Sequence, residues 1–390
     1  MIELLNNESG CCGCAACLNV CSKKAIQMKA DQKGFLYPEI DKNLCVQCGL
    51  CRSVCDNRIL LKKTPCEGFA YKHNSKDVLQ KCSSGGASFA LCQKMIENGG
   101  VVYGVVYDRD FNVVVSREST LEGCQKFFGL KYTSPYPGDS FKQVLDDLNN
   151  NTPVLYISTS CYIAGLLSFL RQKKCDITKL VTVDFICHGL PSPQIYKDYL
   201  KFLSPQKDLE MYSFRSKKNG WGYGTYCIEY KRKNKWTQTD TSKARTYMNI
   251  YNTATCYKEC CYSCQFINGR TGDITISDFW GVERFLPDFP ITGGVSAIQI
   301  NSENGRCFLE SIDYGTKEPV LPKNILALNL NRATPKSPNY EKFWNMYLKD
   351  GFNAVNKEFG EYSCCGIIRW DLVRLKHKLK KIIYSFLEKK

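Results

Sequence analysis

Histidine is nearly absent from this chain: 390 residues hold only His73, His188 and His377. A metal or catalytic centre built on several imidazoles is thereby excluded. No run approaches the roughly 18 apolar residues of a spanning helix. The amino-terminal MIELLNNESG carries acids and no apolar core of an export signal, so a cytoplasmic protein is expected. Low-complexity tracts are lacking too. The net charge is +15, but no recognition-helix or RNA-binding signature accompanies it, so nucleic acid is not expected as a partner. With 44% hydrophobic and 23% charged residues, neither disorder nor a membrane bundle describes the whole. The length suits two or three domains.

Cysteine is what the chain has in excess, 24 residues of it. In a long chain without an export signal, that number points to metal or redox chemistry rather than to a disulfide framework. Residues 11–21 read CCGCAACLNVC and residues 45–55 read CVQCGLCRSVC. Both contain C-x2-C-x2-C-x3-C, the spacing of a bacterial two-cluster ferredoxin. Three close thiolates wrap one cubane, and the fourth, three residues on, serves the other. The spacing assigns Cys11, Cys14, Cys17 and Cys55 to one 4Fe–4S cluster, and Cys45, Cys48, Cys51 and Cys21 to the second. Ser22 and Asp56 stand where a proline commonly follows the fourth cysteine. Cys12 is an extra thiol, read as a small buried filler.

A second group lies in CYKECCYSC, residues 256–264. Cys261 and Cys264 form C-x2-C, and Cys256 and Cys260 lie close by. The C-x3-C-x2-C of a radical enzyme fails, because Ser263 occupies its third position. Two alternatives stay open, a local four-cysteine zinc knot and a third cluster completed by distant cysteines. Candidates for that completion follow two apolar runs. VLYIS (154–158) precedes Cys161 and a helical pattern, and VTVDFI (181–186) precedes Cys187 and a helix opened by Ser192 and Pro193. Strand–turn–helix, twice, predicts a parallel α/β sheet whose carboxyl edge gathers ligands. Cys161 and Cys187 fall on that edge, as cluster ligands beside Cys261 and Cys264 or as inert buried thiols.

Elsewhere KCSSGGASFALC opens a helix over 87–97, with Ser83 or Ser84 as cap. The Ser83-Ser84-Gly85-Gly86 turn is either a plain capped turn or a phosphate site at a helix start. VVYGVVY (101–107) reads as a strand, and 141–148 as a helix. DITISDFWG (273–281) reads as a strand ending near Asp278. No catalytic residue is identified, and His188 and Asp278 are weak candidates. Residues 1–60 hold seven Lys/Arg against six Asp/Glu, whereas residues 366–390 hold eight against two. That tail carries apolar residues at helical spacing from Ile368 to Phe386. It either docks on its own core or meets a partner or an anionic membrane surface.

These stretches, in this order, resemble the coenzyme F-420 hydrogenase/dehydrogenase beta-subunit family, in its form with a fused ferredoxin. KCSSGGASFALC, FFGLKY (127–132), STSCYIAGLLSFL, VDFICHGLPSPQIYKDYL and CYSCQFINGRTGDITISDFWG carry the resemblance. It implies FAD near Ser83, Ser84, Gly85, Gly86, Lys131 and Tyr132, and a third 4Fe–4S cluster on Cys161, Cys187, Cys261 and Cys264. Two motifs depart from the family's pattern, at Ser158–Tyr162 and Gly129–Tyr132. The implied fold is an α+β ferredoxin module followed by α/β flavin-binding domains. The expected divisions are 1–62 (ferredoxin), 63–150 (flavin-associated region), 151–340 (domain with the third cluster) and 341–390 (helical extension with the basic tail). The implied activity is an iron–sulfur flavoprotein oxidoreductase, fed by a soluble donor such as a ferredoxin or a reductase and acting on an unidentified small molecule. The alternative is an electron-transfer subunit docked to a partner enzyme.

Overall fold

The computed structural model describes residues 10–56, 63–217, 220–222, 227–239, 241–267, 269–325, 328–368 and 372. The cysteine-rich amino-terminal segment is a small α+β unit. Strands β1 (Ile26–Ala30) and β2 (Leu36–Ile40) pair antiparallel, Ile26 opposite Ile40. Asp31 closes their turn by accepting from the N–H groups of Lys33 and Phe35 at 3.0 and 2.8 Å, the local bonding expected of aspartate in turns. Two short helices, Ala16–Val20 and Leu50–Asp56, flank the hairpin.

This unit is packed into the rest of the chain. Its hairpin turn rests on the start of helix Pro193–Leu203. There the Ser192 hydroxyl caps the helix from Gln194 and Ile195 and donates to the Lys33 carbonyl at 2.5 Å. Its two helices lie against helix Ser160–Gln172, where the Ser168 hydroxyl donates to the Val54 carbonyl at 2.7 Å. Gly165 makes that approach possible, since a Cβ there would stand 2.7 Å from Cys14 Sγ.

The remaining strands are β3 (Glu67–His73), β4 (Val101–Tyr107), β5 (Val113–Glu118), β6 (Val154–Ser158), β7 (Leu180–Phe185), β8 (Leu209–Ser216), β9 (Cys227–Arg232), β10 (Lys235–Thr239), β11 (Ile274–Asp278), β12 (Ser296–Ile300) and β13 (Gly315–Val320). Eight of them form one mixed sheet in the order β13-β3-β12-β11-β7-β6-β4-β5. Its centre, β4-β6-β7-β11, is parallel, and antiparallel pairs extend it on both sides. The apolar runs of β6 and β7 are buried on both faces, as parallel strands under two helical layers must be. Strands β8, β9 and β10 make a separate antiparallel sheet. Because β3 pairs with β12 and β13, the segments 63–150 and 151–340 contribute to one sheet.

The expected elements at 87–97, 101–107, 141–148, 154–158 and 181–186 are present within a residue or so. Helix Ser160–Gln172 begins two residues earlier than its apolar pattern. One local detail differs. Helix Ala87–Glu97 is capped by Gly86 in the left-handed region, not by a serine. Ser83 accepts instead from the Leu130 N–H at 3.1 Å, and Ser84 donates to the Val295 carbonyl at 2.8 Å. Both hydroxyls are held by neighbouring chain before the helix begins. Of the basic tail, Ile368 and Leu372 are exposed, and the other residues of its apolar stripe lie outside the described residues. Among the described residues, no helix is long and apolar enough to cross a membrane.

A cysteine-lined candidate metal centre

Strands β6 and β7 end side by side, and the turns that follow deliver Cys161 and Cys187 to one edge. The loop ahead of β11 delivers Cys260, Cys261 and Cys264 to the same place. All five line a cavity of about 790 Å³, open to solvent on one side. A sixth cysteine enters from the amino-terminal unit: Cys12 lines the same cavity and lies with its Sγ 3.9 Å from the Cys161 carbonyl oxygen. Thus Cys161, Cys187, Cys261 and Cys264 share a site with Cys12 and Cys260. The filler role expected for Cys12 is incomplete, for it is buried but it is also part of the wall. Cys256 does not line the cavity; it is wholly buried in an aromatic core beside Tyr247 and Tyr251. His188 also lines the cavity.

None of the 24 cysteines is in a disulfide. In the metal-free chain the cavity thiols hold their protons. Contact with Cys12 and burial raise Cys161, contact with Cys260 and burial raise Cys261, and burial raises Cys187 to about 11 and Cys264 upward. Loading a metal group must therefore release protons. Arg270 favours that release, because its positive charge lowers both Cys187 and Cys264. Only 4% of Arg270 is exposed, and its Nη2 has no hydrogen-bond partner among the described residues. A buried guanidinium with an orphaned nitrogen, in the wall of a cavity with six thiols, fits a net-anionic occupant. A 4Fe–4S cubane on four thiolates is such an occupant.

The wall is fixed by Asp184, which is fully buried at the end of β7. Its carboxylate accepts from the hydroxyls of Ser160 and Thr275 at 2.5 Å each, and from the N–H groups of Thr271 and Gly272 at 3.3 and 3.2 Å. Those bonds lock the residue before Cys161 to the residues after Arg270. Asp184 was invisible in the sequence as anything but a polar residue inside an apolar run.

The amino-terminal cysteines sort into the two sets the spacing assigned. Burial raises Cys17, and Cys11 and Cys55 are the thiols that act on it most. Burial also raises Cys51, and Cys48 and Cys45 are the thiols that act on it. Cys14 and Cys17 are buried and Cys48 is exposed, so one set faces the interior and the other the surface. No three Cys, His, Asp or Glu side chains converge as ligands of a single ion would, among the described residues. A cubane makes no such demand, because each thiolate takes a different iron corner.

The Ser83–Gly86 turn lies elsewhere, beside β3 and β12. A Cβ at Gly85 would stand 2.4 Å from both the Ser296 nitrogen and the Tyr71 carbonyl oxygen. Glycine is required there by packing, whatever else the turn does. The serine hydroxyls and the Lys131 ammonium, which donates to the carbonyls of Lys126, Phe128 and Gly129 at 3.1, 3.0 and 3.3 Å, are used within the chain. The Tyr132 ring packs on Phe214 and Tyr251. What the turn still offers are the N–H groups of residues 83–86, which have no acceptor among the described residues. Beside them Lys217 donates to the carbonyls of Ser84 and Gly293 at 2.8 and 2.7 Å. Amides at a helix start next to a half-buried ammonium fit a phosphate. Asp278, at the end of β11, is held by Arg215 at 2.7 Å and by the Trp221 indole at 3.3 Å.

Comparison with known proteins accords with this layout. Residues 152–318 match the family model for the C terminus of the coenzyme F420 hydrogenase/dehydrogenase beta subunit. Residues 10–59 match the 4Fe-4S dicluster domain. No curated protein matches the chain. Among solved structures it is similar to a chain of the xenon-derivatised F420-reducing nickel–iron hydrogenase complex from Methanosarcina barkeri. The identity is 13% and the TM-score 0.40, covering 76% of this chain and 91% of that one.

Proposed function

We propose, for a chain that belongs to the coenzyme F420 hydrogenase/dehydrogenase beta-subunit family and carries a 4Fe–4S dicluster domain ahead of it, an iron–sulfur flavoprotein oxidoreductase. Its electrons would come from a soluble ferredoxin-type donor and go to a small-molecule substrate. The observation that carries this is the shared cavity: Cys12, next in the chain to the dicluster residue Cys11, stands in one wall with Cys161, Cys187, Cys261 and Cys264.

Three cysteine sets are thereby arranged from surface to interior. Cys21, Cys45, Cys48 and Cys51 would hold the outer cluster, Cys11, Cys14, Cys17 and Cys55 the inner one, and Cys161, Cys187, Cys261 and Cys264 a third. When bound, the clusters supply one-electron transfer, and a flavin joins single electrons into pairs. The chain's own part is to place and shield these groups. Asp184 holds the Cys161 turn, Arg270 offsets thiolate charge, and Leu190 and Phe266 keep water from the cavity wall. The amides of residues 83–86 and Lys217 would take the flavin's phosphates.

Anaerobic purification followed by iron assay and flavin extraction tests this. Protein carrying iron and FAD, both bleached by dithionite and reoxidised by an added acceptor, supports it. Loaded protein that neither retains nor rebinds FAD or FMN overturns the flavoenzyme and leaves an electron-transfer subunit docked to a partner enzyme.

A further inference from the structure

Lys258 is a buried ammonium without a carboxylate. It is 2% exposed and forms no ion pair among the described residues. Its backbone belongs to the cavity rim, since its carbonyl accepts from the Cys261 N–H at 2.9 Å. Its side chain leaves that rim and crosses into the dicluster hairpin. There Nζ donates to the Leu36 carbonyl at 2.9 Å and sits 3.4 Å from the centre of the Tyr37 ring and 5.3 Å from that of Phe35. A Cβ built on Gly13 would stand 3.8 Å from it, so the ammonium lies against the Cys11–Cys14 loop. One carbonyl and two ring faces are poor compensation for a desolvated cation.

The charges that face it say what completes the balance. They come, largest first, from Cys11, Cys260 and Cys12, with Asp31 behind them. Asp31 is already committed to the hairpin turn through its bonds to Lys33 and Phe35. We propose that Lys258 is the counter-cation of the cluster held by Cys11, Cys14, Cys17 and Cys55, and sets its reduction potential above that of the outer cluster. A fixed positive charge in a low-dielectric site stabilises the more negative, reduced form of a neighbouring cluster. The outer set has no equivalent, because Lys258 reaches only the inner loop. The lysine is a positioning and tuning residue; it is not a ligand. This inference rests on the dicluster assignment made above.

The test is a mediator titration of reconstituted full-length protein, followed by electron paramagnetic resonance, on wild type, Lys258→Met, Lys258→Gln and Lys258→Arg. Each dicluster signal is followed as its cluster takes one electron from dithionite. In Lys258→Met and Lys258→Gln one signal should move to lower potential. Poised at the wild-type midpoint, its reduced-to-oxidised ratio should fall about tenfold, equivalent to about 59 mV for one electron. The second dicluster signal should stay in place, Lys258→Arg should restore the first, and iron content should not change. Unchanged midpoints at full iron load, or an equal shift of both signals, would overturn the proposal. Iron loss in both neutral variants would assign Lys258 a structural role and overturn it as well. Wild-type protein without dicluster signals would sink the cluster assignment itself, a result distinguishable from all of these.

Discussion

Cys12 and Cys161, 149 residues apart in sequence, meet with Cys12 Sγ 3.9 Å from the Cys161 carbonyl oxygen. Through that contact the dicluster domain forms part of the wall of a cavity otherwise built by the later α/β domain. The two parts therefore share a site, and substitutions at their contact should be felt in both.

Gly165 tests the contact on the α/β side. A Cβ there would stand 2.7 Å from Cys14 Sγ. Gly165→Val should displace Cys14 and cost about 1–3 kcal/mol, the usual range for overpacking. The expected outcome is a lower melting temperature together with iron loss from the dicluster domain. Unaltered iron and stability would show that the two parts do not press on one another here.

Gly85 should behave differently from a phosphate-binding glycine. Its missing Cβ is replaced by the backbones of β3 and β12. Gly85→Val should destabilise the eight-stranded sheet, seen as a depressed melting temperature of the metal-free and flavin-free chain. A variant of wild-type stability that merely lost flavin would contradict the packing role. Lys217→Met is the cleaner probe of the turn, and should weaken flavin rebinding with the sheet intact.

His73 gives a pH dependence. It is buried, its Nδ1 accepts from the Ser75 N–H at 3.0 Å, and burial lowers its pKa below the ordinary 6.5. A depressed folded-state pKa means that, below pH 6.5, the unfolded chain binds a proton that the folded chain refuses. This contribution to stability is present above pH 6.5 and is lost as pH falls through the lower folded value. His73→Asn, which keeps an acceptor for Ser75, should flatten the melting temperature against pH between about 6.5 and 5 relative to wild type. Parallel curves for the two proteins would exclude His73 as the source.

Much of this was legible in the sequence because it depends on spacing along the chain. The two C-x2-C-x2-C-x3-C runs need no fold to be read. The turns after β6 and β7 follow from apolar runs and from the Ser192-Pro193 helix start. Cys12, Lys258, Asp184 and Arg270 were not legible, since their meaning arises only when distant segments meet. Arg270 pairs by its backbone with Lys63, 207 positions earlier, at 2.5 and 2.8 Å, and no local pattern announces that. Ser83 and Ser84 had good cap chemistry locally, but tertiary partners took both hydroxyls.

The central claim is that the shared cavity holds a third cluster besides the two of the dicluster domain. Iron quantified per chain after anaerobic reconstitution, in wild type and in Cys261→Ser and Cys264→Ser, tests it most directly. The account predicts about twelve irons in wild type, at four per cubane, and about eight in each variant with the dicluster signals preserved. About eight irons in wild type, unchanged by either substitution, would contradict it.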